Sequence, residues 1–422
     1  MMKFLKNIYI ELLGSQYFKN LFILTSGVGF SQLIPLLLLP ILTRFFNPVD
    51  FGVFALFMAI VQLLAITTTF RLEMAVVLPK KDTDAALLCF MSFSLLLSLS
   101  IGVLCFIISF YKLDLLYPLI DLMHVVPDNI MLLVLCLIPV GGFFLGCYNI
   151  LYSWNNRLEL YQNMSYSHIL HSLCSTPISI LLYFSPLRSV GLIVGQVFGR
   201  CVACLLLLSH LLGTLTLISK SNFSYRCKAL LKKYHKFIIF ETPHSILNFI
   251  SQKIIIGLFS LFFGFFTVGI FDLADKILGK PLGIVSNSFK TVFYKRLTTA
   301  KDKLSLFKKS ILLMTLISFS LTMPFYIIPH EFFVFILGDE WGDTGKYIQL
   351  ICPLLFSRFI FNVVAPSISY TLKNHYLLIW QIIYLLALVI LFWCVYELTV
   401  ENVLLLYAIF GAIMYAILGF VS

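Results

Sequence analysis

Apolar stretches of membrane length recur twelve times along this chain, and that recurrence confines it to one class of structure. They fall near residues 21–42, 51–70, 85–110, 130–151, 165–184, 190–212, 243–262, 266–289, 310–329, 346–370, 376–396 and 400–420. Each is about 20 residues long, the helical length that crosses roughly 30 Å of hydrocarbon. Inside lipid the backbone must satisfy its own hydrogen bonds, so each stretch is expected to be a helix. The expected fold is an all-α polytopic membrane protein with about 12 transmembrane helices. Composition agrees, with 60% hydrophobic and 12% charged residues, against about 25% charged in soluble domains.

The segment before the first stretch, MMKFLKNIYIELLGSQYFKN, is basic and amphipathic and lacks a small-residue cleavage site. It reads as a surface helix rather than a cleavable leader. The ten cysteines lie almost entirely within spans, so no disulfide framework is expected. Cys201 and Cys204 form a Cys-x-x-Cys pair inside a span, where packing is the expected role.

The basic residues set the orientation. With a cytoplasmic N-terminus, 21 of the 30 Lys and Arg fall in inside segments and four (Arg44, Lys112, Arg188 and Lys346) outside. That asymmetry predicts that both termini are cytoplasmic. It also accounts for much of the net charge of +11 without a nucleic-acid partner.

A connection at 213–242 divides the chain into a six-helix lobe at 1–212 and another at 243–422. Its KSNFSYRCKALLKKYHKF carries cations in a helical pattern with Phe223, Leu230 and Leu231, as an interfacial linker helix would. The halves show internal similarity. FSQLIPLLLLP aligns with ISQKIIIGLFS, matching Ser31-Gln32 to Ser251-Gln252, and DFGVFALF aligns with TVGIFDLA, matching Gly52 to Gly269. An even number of spans per half gives parallel repeats, a transporter plan with its site at the lobe interface near mid-membrane.

Five cations remain within the spans: Arg200, Lys253, Lys276, Lys280 and Arg358. A cation at a helix centre costs roughly 2.5–3.5 kcal/mol on insertion scales, so these groups should meet a partner or a wet cavity. Asp272 and Lys276 are spaced i, i+4 and can pair along one helix face. Asp275 can reach either Lys253 or Arg358. Five cations less two carboxylates leave three positive charges unmatched, a surplus that favours an anionic guest, and phosphate suits both Arg and Lys.

Other polar features are weaker. Glu73 follows Arg71 where the second span ends and reads as a surface ion pair, with ion coupling as its second role. His168 and His171, spaced i, i+3, fit helix-to-helix bonding better than a proton relay. Pro35, Pro40, Pro281, Pro353 and Pro366 lie within spans and can kink them.

Three segments carry a family resemblance. FRLEMAVVLPKKDTDAALL (Phe70 to Leu88), VGIFDLADKILGKPLGIVSNSFKTVFYKRL and LTRFFNPVDFGVFAL (Leu42 to Leu56) resemble matching stretches of bacterial Wzx-type O-antigen and polysaccharide flippases. The resemblance implies two six-helix bundles facing a central cavity. It also implies export of an undecaprenyl-diphosphate-linked oligosaccharide from the cytoplasmic to the periplasmic leaflet. Arg200, Lys253, Lys276, Lys280 and Arg358 are then the candidate substrate-binding cations. Asp272, Asp275 and Glu73 are the candidates for H+ or Na+ coupling, and a polysaccharide polymerase and chain-length regulator are expected partners. No cofactor or catalytic residue is expected, and the chain lacks a P-loop. The competing readings are a multidrug exporter, a lipid II flippase, and a membrane glycan polymerase or glycosyltransferase. Drug exporters usually take cationic guests, lipid II flippases usually carry fourteen spans, and the enzymes display large outside loops.

Overall fold

The computed structural model describes residues 34–113, 128–215, 223–299, 302–364, 367–368, 374–395 and 397–421. The expected N-terminal surface helix, the Ser31-Gln32 repeat marker, residues 21–33 of the first span and Pro366 lie outside them. Every regular element among the described residues is helical. The helices are α1 (Leu39–Phe45), α2 (Pro48–Thr69), α3 (Asp82–Lys112), α4 (Asp128–Arg157), α5 (Tyr161–Tyr183), α6 (Gly191–Leu215), α7 (Phe223–Lys236) and α8 (Thr242–Phe262). They continue with α9 (Gly264–Thr299), α10 (Lys303–Thr322), α11 (Pro324–Ile327), α12 (His330–Leu337), α13 (Thr344–Val364), α14 (Asn374–Val395) and α15 (Val400–Val421).

Nine helical stretches among the described residues are long and apolar enough to cross a membrane. The fifth and eighth expected spans are also single helices, α5 with 23 residues and α9 with 36. Both have the length to cross but miss on hydropathy, for different reasons. Helix α5 carries a row of buried Ser and Thr side chains, whereas α9 carries Asp272, Asp275, Lys276 and Lys280.

The chain groups by internal contacts into two units, residues 1–38 with 57–246 and residues 39–56 with 247–422. In the first unit, α5 and α6 form the most extensive helix pair. The seam is built from small residues, which let two backbones approach closely. A Cβ at Gly199 would lie 2.8 Å from the His171 carbonyl, and one at Gly195 would lie 2.6 Å from that of Ser175. Between α2 and α3 the chain turns through Phe70 and Arg71, both in the left-handed region at φ 47° and 53°, into a 3-10 turn, Leu72–Val77. Arg157 of α4 secures that turn, donating to the Val76 and Val77 carbonyls at 3.3 and 3.2 Å and to Asp82 Oδ1 at 2.8 Å.

Helix α7, within the expected linker, packs one face on protein. Leu230 and Tyr234 are buried in the first unit's core with Trp154, Leu88 and Leu207, and Arg226 donates to Asp84 Oδ1 at 2.6 Å and Thr83 Oγ1 at 3.1 Å. Only the opposite face, with Lys228, Lys232 and Lys233, is exposed. The apolar stripe therefore docks on protein. A π turn, Phe237–Glu241, joins α7 to α8.

In the second unit, α1 and the first part of α2 pack with elements from the latter half of the chain. Trp341, 1% exposed, donates from Nε1 to the Thr43 carbonyl at 3.0 Å and meets the Phe51 ring edge-on at 5.0 Å. Helices α2 and α9 cross at the two glycines aligned by the internal repeat. A Cβ on Gly52 would strike the Phe265 carbonyl, and one on Gly269 the Pro48 carbonyl. These contacts explain why residues 39–56 group with 247–422 rather than with the rest of 1–212. Helix α13 then packs extensively on both α9 and α15, and this arrangement positions the charged residues.

Candidate functional site

The four charges of DLADKILGK lie at Asp272, Asp275, Lys276 and Lys280, spacings of three, four and eight from the first. At 3.6 residues per turn those spacings share one helix face, so α9 concentrates its charge on one stripe. Its other faces are apolar, with Leu273, Ala274 and Leu278 buried. Asp272, 6% exposed, pairs with Lys276 one turn on. Asp275 pairs with Arg358 of α13 at 3.2 Å, which decides between the two partners the sequence left open. Gly279 lies beneath that bridge, and a Cβ there would be 3.2 Å from Asp275 Oδ1 and 3.5 Å from Arg358 Nη2.

Two further cations complete the cluster. Lys253 of α8 acts electrostatically on Asp275, and Lys280 is within reach of Lys253, Lys276, Asp272 and Asp275. Lys276 also sits over the Phe54 ring at 5.0 Å from its centroid. Cation–π contact supplements the ion pair there. The second unit thus gathers four cations, Lys253, Lys276, Lys280 and Arg358, around two carboxylates. Four less two leaves a formal surplus of +2. The side chains of Asp275 and Arg358 are 28% and 26% exposed and that of Lys276 is 23% exposed, so the cluster is accessible rather than sealed.

Arg200 belongs to the first unit. Its guanidinium lies over the Tyr148 ring at 4.5 Å from the centroid, beside a small pocket lined by Met58, Val61 and Gln196. Among the described residues it forms no ion pair. Tyr148 is held by a 3.1 Å hydrogen bond with Ser167. His168 meets the Tyr148 and Tyr152 rings edge-on at 5.7 and 5.5 Å, a ring contact between α5 and α4. Cys204 is buried, with its Sγ 3.4 Å from the Phe144 carbonyl, and all ten cysteines are free.

Glu73 departs from the surface ion pair expected of it. It is 2% exposed on the 3-10 turn, with Oε1 3.4 Å from Arg71 Nη1, while Oε2 has no hydrogen-bond partner. Burial raises its carboxyl above the usual range, and Arg71 offsets only part of that rise. Apolar neighbours in RLEMAVV were the available signal, but depth depends on the packing of α3 and α4 against the turn.

A polar group that charge-based reasoning passed over completes the second unit. Asn248 Oδ1 accepts from Gln252 Nε2 and from Gln381 Nε2, each at 3.0 Å, joining α8 to α14. Trp380 stacks on Tyr384 at 5.2 Å, and Tyr384 stacks in turn on Phe410 at 5.9 Å.

Comparison with known proteins agrees with this architecture. The family model for "Polysaccharide biosynthesis protein" matches residues 17–294, more than half of the chain. Among curated proteins no sequence matches. The inward-facing conformation of a multidrug resistance MATE family transporter of the MOP superfamily superposes with TM-score 0.67 at 15% identity, over 94% of this chain and 91% of that one. A MOP superfamily transporter from Pyrococcus furiosus, described by a binding pocket of reversed polarity, gives 0.62 at 14% identity over 98% and 96%. The lipid II flippase MurJ, in an inward closed conformation, gives 0.55 at 16% identity over 98% and 87%. At these identities the structural likeness establishes fold, and the sequence match establishes family. The chain is a multi-pass membrane protein of the polysaccharide biosynthesis family, built on the fold of the MOP-superfamily transporters.

Proposed function

We propose that this protein is a flippase that carries an undecaprenyl-diphosphate-linked oligosaccharide, an O-antigen or related surface-polysaccharide repeat unit, across the bacterial inner membrane. The direction is cytoplasmic to periplasmic leaflet, by alternating access, with both termini cytoplasmic. The observation that carries this reading is the gathering of Lys253, Lys276, Lys280 and Arg358 around only two carboxylates. Cations held within membrane helices are costly unless compensated, and a diphosphate supplies the missing negative charge. Arg358 offers a planar fork to phosphate oxygens and the lysines offer compact point charges. Arg200, in the first unit, is a further candidate substrate-binding cation.

Transport of this kind needs no covalent chemistry. If an ion gradient drives it, H+ or Na+ would be taken up at a carboxylate. Asp272 and Asp275 are each held by a cation, whereas Glu73 keeps one oxygen unpaired. A surplus of positive charge disfavours the cationic guests usual for multidrug exporters. Polysaccharide polymerase and chain-length regulator are the partners the reading implies.

The test is single alanine replacement at Lys253, Lys276 and Arg358 in a strain scored for surface polysaccharide. Loss of glycan at unchanged protein level is expected, strongest at Arg358. Normal glycan in all three would defeat the cationic-site reading.

A further inference from the structure

The second unit also holds a cluster of uncharged amides. Asn248 and Gln252 lie four residues apart on α8 and share a face, and Gln381 meets them from α14. Gln381 is 8% exposed, and its Oε1 has no hydrogen-bond partner. Gln252 is exposed although it lies within a span, and a polar side chain at that depth belongs on a polar, accessible surface rather than in lipid. The group therefore combines a buried unpaired acceptor with an accessible amide.

Aromatic rings are carried by the same helix as Gln381. Trp380 precedes Gln381, lies partly exposed, and is fixed by its Nε1 bond to the Met414 carbonyl at 2.9 Å and by near-parallel stacking on Tyr384, 8° between planes. An indole held this way offers a rigid apolar face with a negative quadrupole. Polar amides beside such a face can take hydroxyl and acetamido groups along with the apolar faces of a sugar ring. The patch connects to the cationic cluster through Tyr384, which stacks on Trp380 and interacts electrostatically with Arg358.

We propose that Asn248, Gln252, Gln381 and Trp380 form a sugar-recognising subsite that binds the first saccharide of the carried lipid while the neighbouring cations bind its phosphates. This rests on the transport reading above and extends it from the headgroup to the glycan. The competing role for the three amides is polar glue between α8 and α14, common among membrane helices. A subsite differs from glue in discriminating between ligands, because a site built to bond a hydroxyl is left unpaired by a ligand lacking it.

The experiment measures binding of two probes to the full-length protein in nanodiscs: undecaprenyl diphosphate bearing one N-acetylglucosamine, and bare undecaprenyl diphosphate. The wild type is expected to prefer the sugar-bearing lipid about tenfold, and Gln252→Ala and Gln381→Leu each to cut that preference about fivefold, roughly one hydrogen bond. Bare-lipid affinity should stay unchanged. Gln252→Ala removes an exposed side chain, so it keeps the test open should Gln381→Leu misfold. Equal binding of both probes by the wild type, or equal weakening of both by the variants, would overturn the subsite. Failure of bare undecaprenyl diphosphate to bind would overturn the transport reading itself, a distinct result.

Discussion

Arg358 and Asp275 are each about a quarter exposed, and that intermediate burial sets what their separation should cost. Removing one partner of a fully buried pair costs roughly 3–5 kcal/mol, because the other charge is left uncompensated. Solvent screening lowers this to about 1–3 kcal/mol here. Arg358→Ala is therefore expected to lower the melting temperature in detergent more than the double variant Asp275→Ala with Arg358→Ala. A double variant at least as unstable as the single one would show that the pair adds net stability instead. Glu73 carries a pH dependence of defined sign. Its carboxyl is raised by burial, so it is uncharged in folded and unfolded chains well below pH 4.5, its usual value, and there no charge is buried. Stability is lost as pH rises through the raised folded value. Glu73→Gln should match the wild type at low pH and melt higher at neutral pH, and a difference independent of pH would contradict the burial argument. Sequence reasoning recovered the Asp272–Lys276 pair from its i, i+4 spacing and left Asp275 between two partners, since choosing one requires knowing which helix packs on α9. It misjudged Glu73 because an Arg-x-Glu at a span end looks the same whether the turn is exposed or wedged beneath two helices.

Helix α9 shows how an element can look improbable in sequence and be well formed. Its charges share one stripe, so the remaining surface stays apolar, and composition alone averages the two. Its start depends on Gly269, which meets α2 with no room for a side chain. Overpacking a close contact typically costs 1–3 kcal/mol. Gly269→Leu should therefore lower the yield of folded protein and the melting temperature, whereas Gly283→Ala, whose Cβ meets nothing within 4 Å, should leave them near wild type within the small helix-propensity change. Equal behaviour of the two variants would rule out the crossing as a packing constraint. The Gly52–Gly269 correspondence was visible in the repeat alignment, but the meeting of the two glycines was not. Nor was the grouping of residues 39–56 with 247–422, which depends on long-range contacts such as Trp341 to Thr43.

For the whole molecule, class was legible because membrane length and apolar continuity are local properties of the chain, and family because three contiguous segments carry its resemblance. The cationic residues were legible as well, since a charge amid apolar neighbours stands out in any window. The amide group was missed for the converse reason: Asn248, Gln252 and Gln381 carry no charge, and only the packing of α8 on α14 brings them together. On the proposed reading, the charge surplus of the second unit holds a phosphorylated lipid headgroup. The most direct test is translocation by the purified protein in liposomes, comparing a fluorescent undecaprenyl-diphosphate-linked saccharide with the same saccharide on an uncharged polyprenyl chain. The diphosphate-linked lipid is expected to cross, the uncharged one to remain, and Arg358→Ala to reduce the first to the rate of empty liposomes. Equal transport of both lipids, unaffected by Arg358→Ala, would contradict that reading.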